Sequence, residues 1–434
     1  MVAQLEPSSY RVLQYDPQGH RMGAIGTLAA QAALIWGVLW TAGALQDRLL
    51  PPALGMLSLI LAIGAMILAP RRVVMEFPIS FSILGIFTII ISSIIWTVDS
   101  FATGAALRAL IPAMLGVVIV GGLLTLKDVA DALIWAVRLG VAVTYIGLII
   151  DPATRLHVGV ESGGVEDYAG WHGYFNHKNN MAAFLVLALP TILIFHRNGI
   201  IKWGTLGAIA VLLVGSTSAT GVSAAFFVVV AWVWLRLFHM QAQEDTRDST
   251  LLFLVSVVGS LGIVAAALSS VATITSAYGK DTTFSGRTQI WEASFDAFLR
   301  EPWLGHGFGA LFFRDQVSTE TAEIWRQVGF ANSHAHNGPL DMALQLGLVG
   351  LIIFGVLWVS IARRGWNAIA NQPDLGIWVV SILSANLLMA LSEDAFSAGW
   401  IAIFALMKML LMRRDESLRR PGLGEQTVAK WAYR

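Results

Sequence analysis

Residues 339–362 read PLDMALQLGLVGLIIFGVLWVSIA, and this stretch decides the class of fold. Its one charged side chain, Asp341, lies near the start, and apolar residues predominate in the rest. An α-helix of about 20 apolar residues crosses the hydrocarbon core of a bilayer, which is about 30 Å thick. Lipid offers backbone amides no hydrogen-bonding partner, so a run of this kind must be helical. The stretch therefore predicts a transmembrane helix.

Runs of similar character recur along nearly the whole chain of 434 residues. Hydrophobic residues make up 56% of the chain and charged residues only 13%, which is too apolar a composition for a soluble protein. The sequence predicts an all-α membrane protein with about twelve transmembrane helices. The predicted spans are 22–45, 50–69, 77–96, 105–125, 129–150, 179–196, 200–217, 219–238, 251–272, 339–362, 375–393 and 396–412.

The membrane domain extends over 22–412, and polar tails flank it at 1–21 and 413–434. The run from Met22 to Thr41 is longer than the apolar part of a usual signal peptide, which favours a retained helix. The formal net charge of +0 argues against a nucleic-acid partner. The chain has no Cys, which excludes disulfides and Cys-ligated zinc.

Basic residues in the short loops predict the orientation in the membrane. The short loops near 97–104, 215–219 and 391–397 contain no Lys or Arg. The alternate segments and the C-terminal tail are basic and are predicted to be cytoplasmic, with Arg71, Arg72, Lys127, Arg197, Lys202, Arg236, Arg247, Arg363, Arg364, Arg413, Arg414, Arg419, Arg420 and Lys430. We expect a multi-pass inner-membrane protein with both termini in the cytoplasm.

Two long loops, 151–178 and 273–338, are then predicted to face the periplasm. Long loops translocate regardless of their charge, so these two can be basic. They contain Arg155, Lys178, Lys280, Arg287, Arg300, Arg314 and Arg326. These cations either bind an anionic ligand or form ordinary solvated charge balanced by nearby Asp and Glu.

The second long loop contains a predicted amphipathic helix from Gly286 to Arg300, lying on the membrane surface or on the bundle. Ser285 is a favourable N-cap, which places Arg287 in the first turn. A cation in the first turn opposes the helix dipole at a cost of about 0.3–1 kcal/mol. The position of Arg287 therefore indicates a role other than helix stability.

His336 and Asn337 stand at the end of this loop, just before the predicted span 339–362. Asn337 is a favourable N-cap and Pro339 fits the first turn of a helix. His336 is thus expected at the mouth of the tenth span, beside a helix N-terminus that attracts anions. Gly347 and Gly350 lie deeper, where small residues allow another helix to approach closely.

His336-Asn337 is followed by nine residues and then by Gly347-x-x-Gly350. This pattern resembles the signature of O-antigen ligases and of O-antigen and exopolysaccharide polymerases. Residues 285–291 (SGRTQIW) and 302–309 (PWLGHGFG) resemble further blocks of the same superfamily. Residues 173–180 (GYFNHKNN) look most similar to the exopolysaccharide polymerase branch. By motif, the resemblance covers about 170–350.

The resemblance implies a glycosyltransferase of the C type (GT-C) that needs no metal cofactor. Its donor would be a glycan on undecaprenyl diphosphate, and its acceptor a sugar hydroxyl. The sequence has no Asp-x-Asp metal motif, so cations would have to balance the departing diphosphate. On this hypothesis His336 is the general base, Arg287 and Lys178 grip the diphosphate, and Asn337 orients His336. Arg314 or Arg326 could substitute for Lys178, which lacks the bidentate fork of arginine.

Four alternatives remain open at this stage. The activity could be polymerisation of repeat units, with or without a separate chain-length regulator, or ligation of a glycan to the lipid A core. A different class of protein, a transporter of lipid-linked glycans, would place its ionisable residues near the midplane of the membrane. Finally, His334 and His336 could form a metal site with His306 or His172, although no supporting Asp or Glu stands at a usual spacing.

Overall fold

A computed structural model describes residues 22–43, 52–71, 74, 77–152, 156–157, 170–175, 177–243, 287–313, 316–391, 393–394 and 398–418. Thirteen α-helices are described in these ranges: α1 (Ala24–Thr41), α2 (Met56–Leu68), α3 (Phe81–Ser92), α4 (Ser100–Leu123), α5 (Leu126–Ile150), α6 (Lys178–Phe195), α7 (Ile200–Gly215), α8 (Ala219–Gln243), α9 (Arg287–Arg300), α10 (Thr319–Val328), α11 (Gly338–Asn371), α12 (Pro373–Ala390) and α13 (Ala398–Leu418). Short 3-10 turns at Pro52–Gly55 and Ser93–Ile95 flank α2 and α3.

The prediction of an all-α membrane protein is confirmed. Every described helix except α9 and α10 coincides with a predicted span, and the ninth predicted span, 251–272, lies outside the described residues. Within the described ranges, seven helices are long and apolar enough to cross a membrane, and four further apolar helices are shorter. Large apolar side chains on their outer faces are exposed, such as Ile67, Phe81 and Ile200. Exposed apolar faces of this kind are typical of helices that contact lipid.

Helices α6 and α12 lie at the centre of the bundle, where most of their residues are buried. Helix α6 packs against α5, α7, α8 and α12, and α12 also packs against α8 and α11. Small residues bring these helices close together. A Cβ added at Gly140 of α5 would lie 2.6 Å from Phe184 of α6, and one at Gly221 of α8 would lie 2.5 Å from Ala182. The central position of α6 also fixes the place of its first turn, which begins at Lys178.

Helix α11 is interrupted at Gly347, whose φ of 65° and ψ of −168° are not helical. We expected this glycine to admit a neighbouring helix, but the structure brings the backbone of residues 302–309 against it. The amide of Leu348 donates to Pro302 O at 2.9 Å, and the amide of His306 donates to Leu344 O at 2.8 Å. The loop thus supplies the hydrogen bonds that a broken helix loses within a membrane.

Helices α9 and α10 belong to the second long loop, and α9 packs on both α10 and α11. They form a small separate core with Ile290, Ala297, Ile324, Val328 and Leu344 among its members. Of the two placements expected for α9, the structure shows the one against the bundle. A short pair of antiparallel strands, β1 (Leu156–His157) and β2 (Gly170–Trp171), lies in the first long loop and was not predicted. We call the end of the bundle that carries both loops the loop end.

Candidate active site

Glu393 is the centre of the candidate site. It follows the last turn of α12 at the loop end and is 5% exposed. Its Oε1 accepts hydrogen bonds from Arg287 Nη2 at 3.0 Å and from Asn179 Nδ2 at 2.8 Å. Its Oε2 lies 3.6 Å from His336 Nδ1. One buried carboxylate thus joins α9, the first turn of α6 and the residues that precede α11.

The charge of Glu393 follows from these contacts. Burial raises the pKa of the carboxyl, but the neighbouring Arg287 and His336 outweigh that effect, so the pKa is held well below its usual range. Opposite charges within a few ångströms favour the ionised form in this way. Glu393 is therefore a carboxylate at neutral pH and neutralises part of the positive charge that Arg287 brings to the site.

His336 lies immediately before α11 in an unusual backbone conformation, with a φ of 50°. Its amide donates to His334 Nδ1 at 3.1 Å, and its carbonyl accepts from Trp291 Nε1 at 3.3 Å. Trp291 stands one turn after Arg287 on α9, so this helix contacts both Glu393 and the backbone of His336. The imidazole Nδ1 faces Glu393 at a separation longer than a normal hydrogen bond.

Lys178 begins α6 at the same end of the bundle. The preceding His177 caps the helix by accepting the Asn179 amide at Nδ1. Lys178 is only 1% exposed, and a Cβ added at Gly170 of β2 would lie 3.0 Å from its Cδ. Its sequence neighbour Asn179 binds Glu393, so the structure brings the first turn of α6 to the site. A deeply buried lysine of this kind requires anionic or polar partners.

The remaining predicted residues are placed less centrally. Asn337 caps α11, because its Oδ1 accepts the Leu340 amide at 3.0 Å. The cap and the missing N–H of Pro339 reduce the number of free donors at this helix N-terminus, which makes it a weaker anion site than expected. Arg326 is largely exposed and binds Glu323 on its own helix at 2.7 Å. Arg314 lies outside the described residues, as does the predicted N-cap Ser285.

Among the described residues, the group that could hold a metal ion is His334, His336 and Glu393, whose ligand atoms lie within 4.8 Å of one another. His306 and His172 are not members of this group, and Nδ1 of each ring contacts a backbone carbonyl, that of Leu344 and that of Phe175. His334 is a poor ligand in this arrangement. Its Nδ1 lone pair accepts the His336 amide, so in the neutral ring Nε2 carries the proton.

His334 stays uncharged beside the site. Burial, followed by the neighbouring His336, holds the pKa of His334 well below its usual range, although Glu393 acts in the opposite direction. A neutral ring keeps the Nδ1 lone pair available for the His336 amide. His334 therefore supports the backbone of His336 without adding a positive charge.

Sequence reasoning missed Glu393 and Asn179. The signal for Glu393 was present: residues 392–394 read SED, which places two acidic residues in a short loop that contains no Lys or Arg. An uncompensated acid between two apolar spans is costly unless a cation reaches it. Its cation, Arg287, lies 106 residues away in the sequence. No spacing rule connects positions so distant.

The cluster at the loop end consists of His336, Arg287 and the buried carboxylate of Glu393, which contacts both. The buried Lys178 is next in sequence to Asn179, which also binds Glu393. Such a set can take up a proton at the imidazole and bind an anionic group at the cations. The carboxylate can stabilise the imidazolium that proton uptake creates.

Comparison with known proteins found one family model and one relative that are similar to this chain. A family model described as "O-Antigen ligase" matches residues 203–355, a range that includes Arg287 and His336 but ends before Glu393. The chain is also similar to "Exopolysaccharide production protein ExoQ" of Rhizobium meliloti (strain 1021), with 28% identity over 199 residues. That alignment covers 43% of this chain and 45% of the relative, so the chain spans less than half the length of the relative that it matches.

Proposed function

We propose that this protein, whose resemblance to the O-antigen ligase and polymerase superfamily is confirmed, is a membrane glycosyltransferase that acts at the periplasmic face. It transfers a glycan from undecaprenyl diphosphate to a sugar hydroxyl and polymerises repeat units of an exopolysaccharide or O-antigen. The observation that carries the proposal is the contact of Glu393 with both Arg287 and His336 at the loop end. The absence of Lys and Arg from the short loops at this end supports the periplasmic assignment.

The acceptor hydroxyl is activated by His336. Its Nε2 takes the proton as the hydroxyl oxygen attacks the anomeric carbon of the donor. The resulting imidazolium carries its second proton on Nδ1, which faces Glu393 Oε2 at 3.6 Å. Catalytic hydrogen bonds are often long before substrate binds, and the new positive charge draws the two groups together. Glu393 therefore fixes the orientation of the ring and stabilises its protonated form.

The leaving group is the lipid diphosphate. The bond between the anomeric carbon and the phosphate oxygen breaks, and its electron pair departs with the diphosphate. Arg287 binds Glu393 through Nη2, and the other N–H groups of its guanidinium can bind phosphate oxygens. Lys178 supplies a second positive charge. With Glu393 ionised, the two cations leave the site with a net positive charge that favours an anionic donor.

The product of the reaction separates two forms of this proposal. The matching relative is named for exopolysaccharide production, which favours polymerisation. The matching family model is described as O-antigen ligase, which favours transfer to a lipid acceptor. In a deletion strain, loss of polymer with single repeats retained on the carrier supports polymerisation. Accumulation of full-length polymer on the carrier supports ligation instead.

The proposal is tested with the full-length protein in nanodiscs, supplied with a glycan on undecaprenyl diphosphate and a matching acceptor in the presence of EDTA. We expect transfer by the wild type and a loss of at least about 100-fold in His336→Ala, because the general base is gone. His239→Ala, at the end of α8, is the matched control and should transfer normally. Transfer by His336→Ala at the rate of the wild type would refute the role of His336. Movement of intact donor across the bilayer without transfer would identify a transporter.

A further inference from the structure

The backbone of His336 is strained. Among the described residues, only Thr217, Phe312 and His336 are non-glycine residues with a positive φ. The left-handed conformation is unfavourable for a residue with a Cβ, which lies too close to the following carbonyl oxygen. It persists only where surrounding contacts hold it in place. The amide and carbonyl of His336 have partners of their own, but the turn also needs an anchor to the body of the protein.

That anchor begins at Ala335, the buried residue just before His336. The Ala335 amide donates to Asp341 Oδ1 at 2.9 Å, and Asp341 is 2% exposed in the first turn of α11. The second oxygen of Asp341 accepts from Gln345 Nε2 at 2.5 Å. Gln345 Oε1 in turn accepts from the Gly309 amide at 2.9 Å. A continuous chain of hydrogen bonds therefore joins the turn at His336 to the loop that packs against Gly347.

The direction of this chain is fixed at both ends. The amides of Ala335 and Gly309 can only donate, so an acceptor must face each of them. Gln345 consequently turns its oxygen toward Gly309 and its NH2 group toward Asp341. Asp341 must then accept at both of its oxygens. A carboxylate at position 341 and an amide at position 345 meet this requirement, and an amide at both positions does not.

We infer that Asp341 and Gln345 are positioning residues that hold the turn at His336 and so set its imidazole toward Glu393. The inference rests on the proposed role of His336 as the base. The chain of hydrogen bonds itself can be tested by a measurement that does not depend on glycan transfer. Neither residue contacts Glu393 through a described hydrogen bond or ion pair, and the hydrogen bond from the Ala335 amide is the described contact that links Asp341 to the turn.

The test reverses the direction of the chain. In Asp341→Asn, the new NH2 group faces the NH2 group of Gln345, and rotating Gln345 leaves the Gly309 amide without an acceptor. In Gln345→Glu, two carboxylates face each other. The double variant Asp341→Asn/Gln345→Glu satisfies every group again. The amide introduced at position 341 can donate to the carboxylate introduced at position 345, and that carboxylate can also accept from Gly309. The double variant also keeps the total charge of the wild type.

Two readouts are taken in nanodiscs: hydrogen–deuterium exchange of the peptide that contains residues 332–338, and kcat and KM for glycan transfer. We expect faster exchange and a kcat at least about tenfold lower in each single variant, with little change in the KM for donor. We expect the double variant to recover both quantities. Asp374→Asn, which removes the carboxylate that pairs with Arg236, is the matched control and should change neither.

Each result decides the matter. Unchanged exchange in both single variants, or a folded double variant without recovery, overturns the inference. If Asp341→Asn does not accumulate as folded protein, accumulation of the double variant supports the inference and its failure to accumulate overturns it. The exchange rates of the variants could follow the expected pattern while the wild type transfers no glycan. That outcome would support the hydrogen-bond chain and refute the proposed function. The two failures are thereby distinguished.

Discussion

The guanidinium of Arg287 and the carboxylate of Glu393 form an ion pair of 3.0 Å between residues 106 positions apart. The pair connects the start of α9, in the second long loop, to the end of α12, in the bundle. The side chain of Glu393 is 7% exposed and that of Arg287 is 23% exposed. Water therefore screens the attraction between the two charges less than it does in a surface salt bridge. Breaking it leaves an uncompensated buried charge.

Glu393→Gln is the sharpest test of this carboxylate. The variant keeps the size of the side chain and one acceptor for Arg287 and Asn179, but it removes the negative charge that faces His336. We expect a kcat about 100-fold to 10,000-fold lower, as when the carboxylate partner of a catalytic histidine is removed. The measurement is single-turnover glycan transfer. Asp394→Asn, the adjacent acidic residue, is the control, and equal losses in both variants would contradict a specific role for Glu393.

The low pKa of Glu393 predicts how stability depends on pH. The folded pKa lies below the ordinary value of 4.5, so ionisation of this group stabilises the folded protein at any pH above 4.5. The contribution is lost as the pH falls below that value. We expect the free energy of unfolding of the wild type, relative to that of Glu393→Gln, to decrease when the pH is lowered from 6 toward 3. A relative stability independent of pH would show that the pKa is not depressed.

Arg287→Ala should weaken donor binding as well as remove the partner of Glu393. Hydrogen bonds to charged groups contribute about 1.5–3 kcal/mol, which corresponds to an increase in Kd of roughly 10-fold to 150-fold. Arg287→Lys should recover only part of this affinity, because lysine lacks the bidentate fork. Binding is measured with a fluorescent undecaprenyl diphosphate in nanodiscs. Arg300→Ala, at the exposed end of the same helix, is the matched control, and an equal effect there would indicate non-specific electrostatics.

Lys178→Met separates charge from packing at the start of α6. Methionine keeps an unbranched side chain in the buried space and removes the positive charge. We expect a donor Kd at least about tenfold higher, with folding retained. Lys202→Met removes another buried lysine, which binds Leu193 O at the other end of α6, and should leave donor affinity unchanged. If Lys178→Met binds donor normally, the second cation must be sought elsewhere, with Arg314 and Arg326 the remaining predicted candidates.

Gly347→Ala tests the interruption of α11. A Cβ at this position would lie 2.2 Å from the carbonyl group of Trp303, and the φ of 65° is unfavourable for alanine. We expect a loss of more than about 2 kcal/mol in the free energy of unfolding, measured as a lower Tm in detergent. Gly355→Ala, further along the same helix, has no atom within 4 Å of the added Cβ and should be neutral or slightly stabilising. A Tm for Gly347→Ala equal to that of the wild type would contradict the observed backbone.

Much of the fold followed from local properties of the sequence. The bilayer imposes one secondary structure on any long apolar run, so eleven predicted spans coincide with described helices. The helix predicted from Gly286 to Arg300 is described as α9 from Arg287 onward, and the position of His336 just before α11 followed from local rules for helix ends. The resemblance of short motifs to a known superfamily, now confirmed, required only the order of residues along the chain.

The tertiary structure decided which residues act together. The sequence predicted Asn337 as a cap and as the residue that orients His336, and the structure places it as a cap while Glu393 faces the imidazole. Gly347 looked like a point of close helix approach, but the loop at 302–309 occupies that space. Local patterning fixes helices because their hydrogen bonds connect residues four apart. The candidate site depends on contacts between α6, α9, α11 and the end of α12, and only the packing of the bundle brings those positions together.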